Sequence, residues 1–269
     1  MRAELAVAAA AAVAAALYVR RRRRDRLRWV AAVLADSPYG EEALVAAALA
    51  LECGAAIRRV DAARGSARAV WKDGAGGIDP VTETDEANER LVTDTLRRKF
   101  PNHAIVGEEA AAALGCVPEI SPSVPTWVVD PVDGTQNYVH GVPLAVVSIG
   151  LCVGGVPALG VVYHAAADEL YVGAPSAGGA WLNGERIAPD GATALPEALV
   201  ATDVGYERSA EGIQKLCATS AAVMSGNVRA LRIFGSTVLC LVWVACGRCS
   251  AFYCGVHKRD CPKPWDWCA

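Results

Sequence analysis

The stretch Trp127-Val-Val-Asp-Pro-Val-Asp-Gly-Thr-Gln-Asn-Tyr-Val-His-Gly141 decides how the rest of the chain is read. Val128 and Val129 form an apolar run that reads as a buried strand, and the run stops at Asp130-Pro131. Asp133, Gly134 and the hydroxyl of Thr135 come next. Two carboxylates held at a strand end make a site of hard oxygen donors, which suits Mg²⁺ rather than zinc. Gly134 lets backbone approach a ligand closely, and exposed N–H groups in the turn after it can hold an anion such as phosphate. Asp-Pro and Asp-Gly are also common turn pairs, so a loop without chemistry is the competing reading.

A hard-cation turn needs partners, and the flanking chain offers them. Upstream, Ser37-Pro38 opens a long helical pattern through Leu44, Val45, Ala48, Leu51 and Ile57. Cys53 and Arg59 match the spacing of cysteine phosphatases, but they lie inside this helix without a glycine-rich loop to aim N–H groups at phosphate. Asp85 is placed to start the next helix, whose apolar positions Leu91, Val92 and Leu96 recur at helical spacing. Ala104 to Val106 reads as a short strand that delivers Gly107-Glu108-Glu109, and the Ala-rich stretch from there to Pro125 reads as a loop insertion. Downstream, Leu144–Val153 and Ala158–Val172 form a meander joined by Gly154-Gly155, followed by a turn-rich segment over Ala177–Ile187. A helix within Glu207–Val223, a strand over Val228–Phe234 and an apolar helix opened by Gly235-Ser236-Thr237 come next. A strand at Ala251–Cys254 leads to Trp265-Asp266-Trp267. The acidic points Asp85, Glu108, Asp130 with Asp133, and Asp266 thus fall at element ends in a mixed α/β order, and they can share one mouth.

Bulk properties narrow the class. With 269 residues, 53% of them hydrophobic, and a net charge of −3, the chain is globular and gives no sign of a nucleic-acid partner. Of the ten cysteines, Cys246-Gly-Arg-Cys249 with Cys254, His257 and Cys261 could be argued as a zinc knuckle. No second Cys-x-x-Cys follows, so free thiols in a reducing compartment are the better reading. Leu5 to Val19 is an apolar, mostly alanine run followed by Arg20 to Arg24. It is expected to be a membrane anchor that keeps the domain on the cytoplasmic side, or an organelle-targeting element. An Ala-rich solvent helix is the bland alternative. On this basis residues 1–36 form the N-terminal segment and 37–269 the domain.

The central stretch also carries a resemblance. DPVDGTQNYVHG (130–141), followed by PLAVVSIG (143–150), resembles the metal-binding signature of the inositol monophosphatase family, a group of Mg²⁺-dependent phosphomonoesterases. The similarity extends, with gaps, from about Glu41 to Ala269. It implies a layered α/β/α/β/α sandwich with two sheets, of the sugar-phosphatase type, acting on a small phosphorylated polyol or sugar. Family members are often homodimers. Carried over by motif, Glu108, Asp130 and the Val132 carbonyl resemble ligands of a first Mg²⁺. Asp130 would bridge to a second, completed by Asp133 and Asp266. Glu108 and Glu109 would lie near the attacking water, with Thr135 and Asp85 orienting and deprotonating it. Backbone N–H groups of Gly134 and Thr135 would hold phosphate, and Lys72 would sit in a loop over the site. Gly235, Ser236 and Thr237 would line the alcohol side.

The pattern departs from the family in three places. Cys254 stands where the family usually has a glutamate that contacts inositol hydroxyls, so the resemblance carries reaction type further than substrate. Lys258 to Lys263 looks like an insertion before Asp266. Family members also continue past the second metal motif, so the second sheet is expected to be incomplete, with an open edge. A bisphosphate nucleotidase is the alternative within the same chemistry, although that group typically shows Asp-Ala-Thr-Gln-Glu where this chain has Asp133-Gly-Thr-Gln-Asn137. A catalytically inactive, membrane-tethered interaction protein is the alternative outside it.

Overall fold

The computed structural model describes residues 21–22, 24–62, 69–71, 79–206 and 208–254. In chain order, a helical stretch α1 (residues 24–33) leads to α2 (Gly40–Ala62), a small antiparallel pair β1 (Ala69–Trp71) and β2 (Pro80–Thr82), and α3 (Glu83–Lys99). Then come β3 (Ala104–Gly107), α4 (Glu108–Leu114), β4 (Thr126–Asp133) and α5 (Thr135–Val139). The meander is β5 (Val146–Val153), β6 (Val156–His164), β7 (Glu169–Ala174), β8 (Gly179–Leu182) and β9 (Glu185–Arg186). The last described part holds β10 (Leu199–Asp203), α6 (Ala210–Ser225), β11 (Ala230–Ile233), α7 (Thr237–Ala245) and β12 (Ala251–Cys254).

The seven-stranded sheet runs β3-β4-β5-β6-β7-β8-β9, parallel only between β3 and β4. Its central strands are buried on both faces, which is why they read as continuous apolar runs and not as alternation. Val147, Ile149, Val161, Tyr163 and Val172 pack into the core that includes α2, while Val146, Val162 and Tyr171 pack with Val238, Leu239 and Val242 of α7. α2 buries Ala43, Ala46, Ala47, Ala50, Cys53 and Ile57 at helical spacing. All of these but Ile57 are small, so the helix lies close to the sheet. A Cβ on Gly54 would sit 2.4 Å from the Tyr163 ring.

A second, parallel sheet runs β11-β10-β12 beyond α7. On its far side Ser220 of α6 lies 3.2 Å from the Tyr253 hydroxyl. The layers are therefore α/β/α/β/α, as the resemblance implies, with three strands in the second sheet among the described residues. That sheet is joined to the larger one through α7, whose buried face is shared between two cores.

Several local readings shift. Residues 24–34 belong to the folded unit: Val30 and Leu34 are buried in the main core, and both Arg22 and Arg26 reach Asp168 Oδ2 at 2.6 Å. Packing thus draws the domain boundary inside the segment that the sequence set apart at residue 36. α2 begins at Gly40 and not at Ser37-Pro38. The stretch after Gly107 opens with a helix, α4, ended by Gly115 in the left-handed region (φ 68). The turn-rich segment hides the β8–β9 hairpin, with positive φ at both Asn183 (51) and Gly184 (94) as a type I′ turn requires. The described cysteines are free thiols, while His257 and Cys261 of the knuckle reading lie outside the described residues. The apolar run Leu5–Val19 lies outside the described residues, among which no helix is long and apolar enough to cross a membrane.

Leu34 is 1% exposed. Leu34→Ala should therefore cost roughly 2–5 kcal/mol in equilibrium denaturation, as for a core leucine. A cost near zero would return this segment to an appendage.

Candidate active site at the end of strand β4

The site begins on one face of α3. Asp85, Asn88, Glu89, Val92 and Leu96 are buried along it, polar at the N-terminal end and apolar at the other. Thr82, and not Asp85, is the cap. Asp85 sits at N3 and completes a capping box, accepting the Thr82 N–H at 3.0 Å and the Thr82 hydroxyl on Oδ2. One turn on, Glu89 accepts the N–H groups of Glu109 (2.8 Å) and Ala110 (2.9 Å). It thereby supplies the cap that Gly107 cannot, at the positive end of α4. A Cβ on Gly107 would lie 2.5 Å from the Glu89 carboxyl carbon, so any larger residue there would displace Glu89 from this cap. This arrangement places Glu108, buried, as the first residue of α4.

The end of β4 supplies the rest. Its register with β5 shifts between Asp130 and Asp133, an irregularity that re-aims the strand end and accommodates Pro131. Asp130 Oδ1 accepts the Val132 N–H at 3.0 Å. Gly134 takes φ 87, and a Cβ there would come within 2.7 Å of the Leu144 carbonyl. The Thr135 hydroxyl lies 2.9 Å from the Val132 carbonyl and 3.4 Å from Asp85 Oδ1. Asp133 Oδ2 accepts the Ser236 hydroxyl and, at 3.1 Å, the Val238 N–H at the start of α7.

These carboxylates are costly where they are. Burial pushes Asp133 up to about 7, with the Ser236 hydrogen bond pulling the other way and the charges of Glu108 and Asp203 adding to the rise. Burial likewise pushes Asp85 up to about 6; the Thr82 hydroxyl opposes it and Glu108 reinforces it. Such a set of crowded, buried oxygen donors is the chemistry that a hard divalent cation satisfies. Among the described residues, however, no group of three or more His, Cys, Asp or Glu side chains is arranged to hold a metal ion. The hydrogen bonds explain this, since Asp133 is turned toward α7 and Asp130 toward its own backbone. Asp266 and Lys72, read as members of the site, lie outside the described residues.

The family model of the inositol monophosphatase family matches residues 41–269. The chain belongs to this family. It is 44% identical over 191 residues to inositol monophosphatase 1 of Solanum lycopersicum, covering 71% of this chain and 67% of that protein. With inositol monophosphatase 2 of Homo sapiens it shares 38% over 231 residues, 85% of this chain and 77% of the other. Among solved structures, the extragenic suppressor protein suhB from Bartonella henselae superposes with a TM-score of 0.69 at 26% identity, covering 83% and 82% of the two chains. As a member of the family, the chain is a phosphoric monoester hydrolase.

The structure brings Asp85, Thr135, Asp133 and Ser236 into one hydrogen-bonded neighbourhood and sets Glu108 within electrostatic reach of both aspartates. Glu109 contributes its N–H to Glu89. Sequence reasoning passed over Glu89, although its place one helical turn after Asp85 was the available signal. It also passed over Asn137, discussed below, and Asp203, the last residue of β10.

A carboxyl whose folded pKa lies above its unfolded value binds its proton more tightly when folded. Stability is then greatest below the unfolded value of about 4 and is lost as pH rises through about 6 to 7. In EDTA, the melting temperature should fall between pH 5 and pH 8, and Mg²⁺ added at pH 8 should restore it. A flat profile in EDTA would remove the argument for uncompensated charge at this site.

Proposed function

We propose that this chain hydrolyses a small phosphate monoester, with inositol monophosphate as the substrate and Mg²⁺ as the cofactor. One observation carries the reading: the Thr135 hydroxyl stands between the Asp85 carboxylate and the Val132 carbonyl, on the turn that Gly134 begins. A hydroxyl paired with a buried carboxylate can orient a water and pass its proton to Asp85 Oδ1. The N–H groups of Gly134 and Thr135 face the phosphoryl oxygens, and Gly235, Ser236 and Thr237 form the wall on the alcohol side. Glu108, Asp130, the Val132 carbonyl, Asp133 and Asp266 would hold Mg²⁺, with Glu109 and Lys72 bordering the site. When bound, the metal neutralises phosphoryl charge and acidifies the attacking water. The Gly-Thr-Gln-Asn run after Asp133 favours inositol phosphate over a nucleoside bisphosphate.

The test is phosphate release from inositol 1-phosphate by the full chain in Mg²⁺, by the same protein in EDTA, and by Asp130→Asn in Mg²⁺. Only the first should turn over. The others should fall by about a hundredfold or more, the scale of losing several kcal/mol of charge stabilisation. Equal background in all three would leave an inactive interaction protein. Faster release from adenosine 3′,5′-bisphosphate would make it a nucleotidase. We also propose that Leu5–Val19 with Arg20–Arg24 tethers this domain to a membrane on its cytoplasmic side. The full chain should then sediment with membranes through a carbonate wash, and a chain lacking residues 1–20 should not.

A further inference from the structure

Asn137 has no part in the assignment above, yet its amide occupies a distinctive place. Its Nδ2 lies 2.7 Å from the Phe234 carbonyl, 3.0 Å from that of Leu144 and 3.1 Å from that of Gly235. These three oxygens come from two segments far apart in sequence. Carbonyl oxygens repel one another, so they gather only around a donor. The Asn137 amide has two N–H groups to offer them.

The position of those carbonyls matters more than their number. Phe234 and Gly235 form the corner between β11 and α7, and Gly235 takes φ 72. A Cβ on Gly235 would lie 3.1 Å from Asn137 Nδ2, so the amide fills the space that glycine leaves. The next residue, Ser236, caps α7 by accepting the Leu239 N–H at 3.3 Å, and it donates to Asp133. Leu144, on the other side, has the carbonyl that closes over Gly134. A closed circuit results: from Asp133 along the turn to Asn137, across to Gly235, and back through Ser236 to the Asp133 carboxylate. Each half of that circuit belongs to a different sheet.

We propose that Asn137 is a positioning residue for the reaction: by pinning the Gly235–Ser236 corner to the turn after β4, it fixes the orientation of the Asp133 carboxylate. The catalytic consequence rests on the function proposed above, whereas the mechanical part does not. Asn137→Ala removes the donor. Asn137→Asp keeps the shape but sets an acceptor against three acceptors.

Two measurements on the full chain test this. In hydrogen exchange, amides of residues 235–239 should exchange about tenfold faster or more in both variants, with Val147–Val162 of the central sheet unchanged. In kinetics on inositol 1-phosphate, kcat should fall by roughly 10–100-fold, as for the loss of an outer-shell orienting group, with KM within about threefold. Combining Asn137→Ala with Ser236→Ala should add no more than about threefold to the worse single variant, because both act through Asp133. Unchanged exchange at 235–239, multiplicative kinetic losses, or fast exchange across the whole sheet would each overturn the proposal. If the parent chain releases no phosphate, the proposed function fails and the exchange result alone decides the role of Asn137.

Discussion

The bond from Ser236 and the Val238 N–H to the Asp133 carboxylate is the constraint on which the rest depends. It joins the end of the large sheet to the helix that carries the small one. A carboxylate buried at such a seam is tolerated only where donors meet it. Three further buried acids near the site follow that rule: Asp85 has Thr82, Asp130 has the Val132 N–H, and Glu89 has the start of α4. The polar face of α3 and the turn after β4 are therefore parts of one hydrogen-bonded layer.

That layer explains where side chains are forbidden. Gly107, Gly134 and Gly235 each stand where a Cβ would press on a member of the network, respectively Glu89, the Leu144 carbonyl and Asn137. Two of the three also hold positive φ, which other residues reach only with strain. A glycine in a signature motif is often credited to loop mobility. Here the packing gives the opposite reason, since backbone and carboxylates approach too closely for anything larger.

The central motif, the α/β order and the acidic points were legible because they depend on short-range features. An apolar run ending in Asp-Pro and a Gly-Ser-Thr opening a helix are examples. What escaped depended on distance. The capping of α4 by Glu89 joins residues 20 and 21 apart in the chain, and nothing in the local sequence around Ala110 announces it. The shift between Asp130 and Asp133 is invisible because spacing assumes a regular strand. The place of α1 is hidden for a related reason: Val30 and Leu34 follow directly on an arginine run and read as part of its segment, yet the core covers them. Asn137 was read as part of a motif and not as a donor, because its acceptors at Phe234 and Gly235 lie nearly a hundred residues away.

The same geometry sets stability against function. Burial raises the pH at which Asp85 and Asp133 give up their protons, and while Asp85 is protonated it cannot accept one from water. The folded chain is thus more stable while these two acids are protonated, and donors at the start of α7 and in the β4 turn hold Asp133 and Asp130 in place. Under the proposed function, positive charge would replace those protons when the carboxylates are recruited for chemistry. With Asp130 and Asp133 at the end of β4, Asp85 on α3 and Glu108 on α4, a bound cation would relieve charge that the fold otherwise leaves uncompensated. It follows that the rigid elements around the acids, α3, α7 and the glycine corners, matter as much as the acids themselves. They fix where the buried carboxylates stand, and so how strongly Asp85 and Asp133 feel the charge of Glu108.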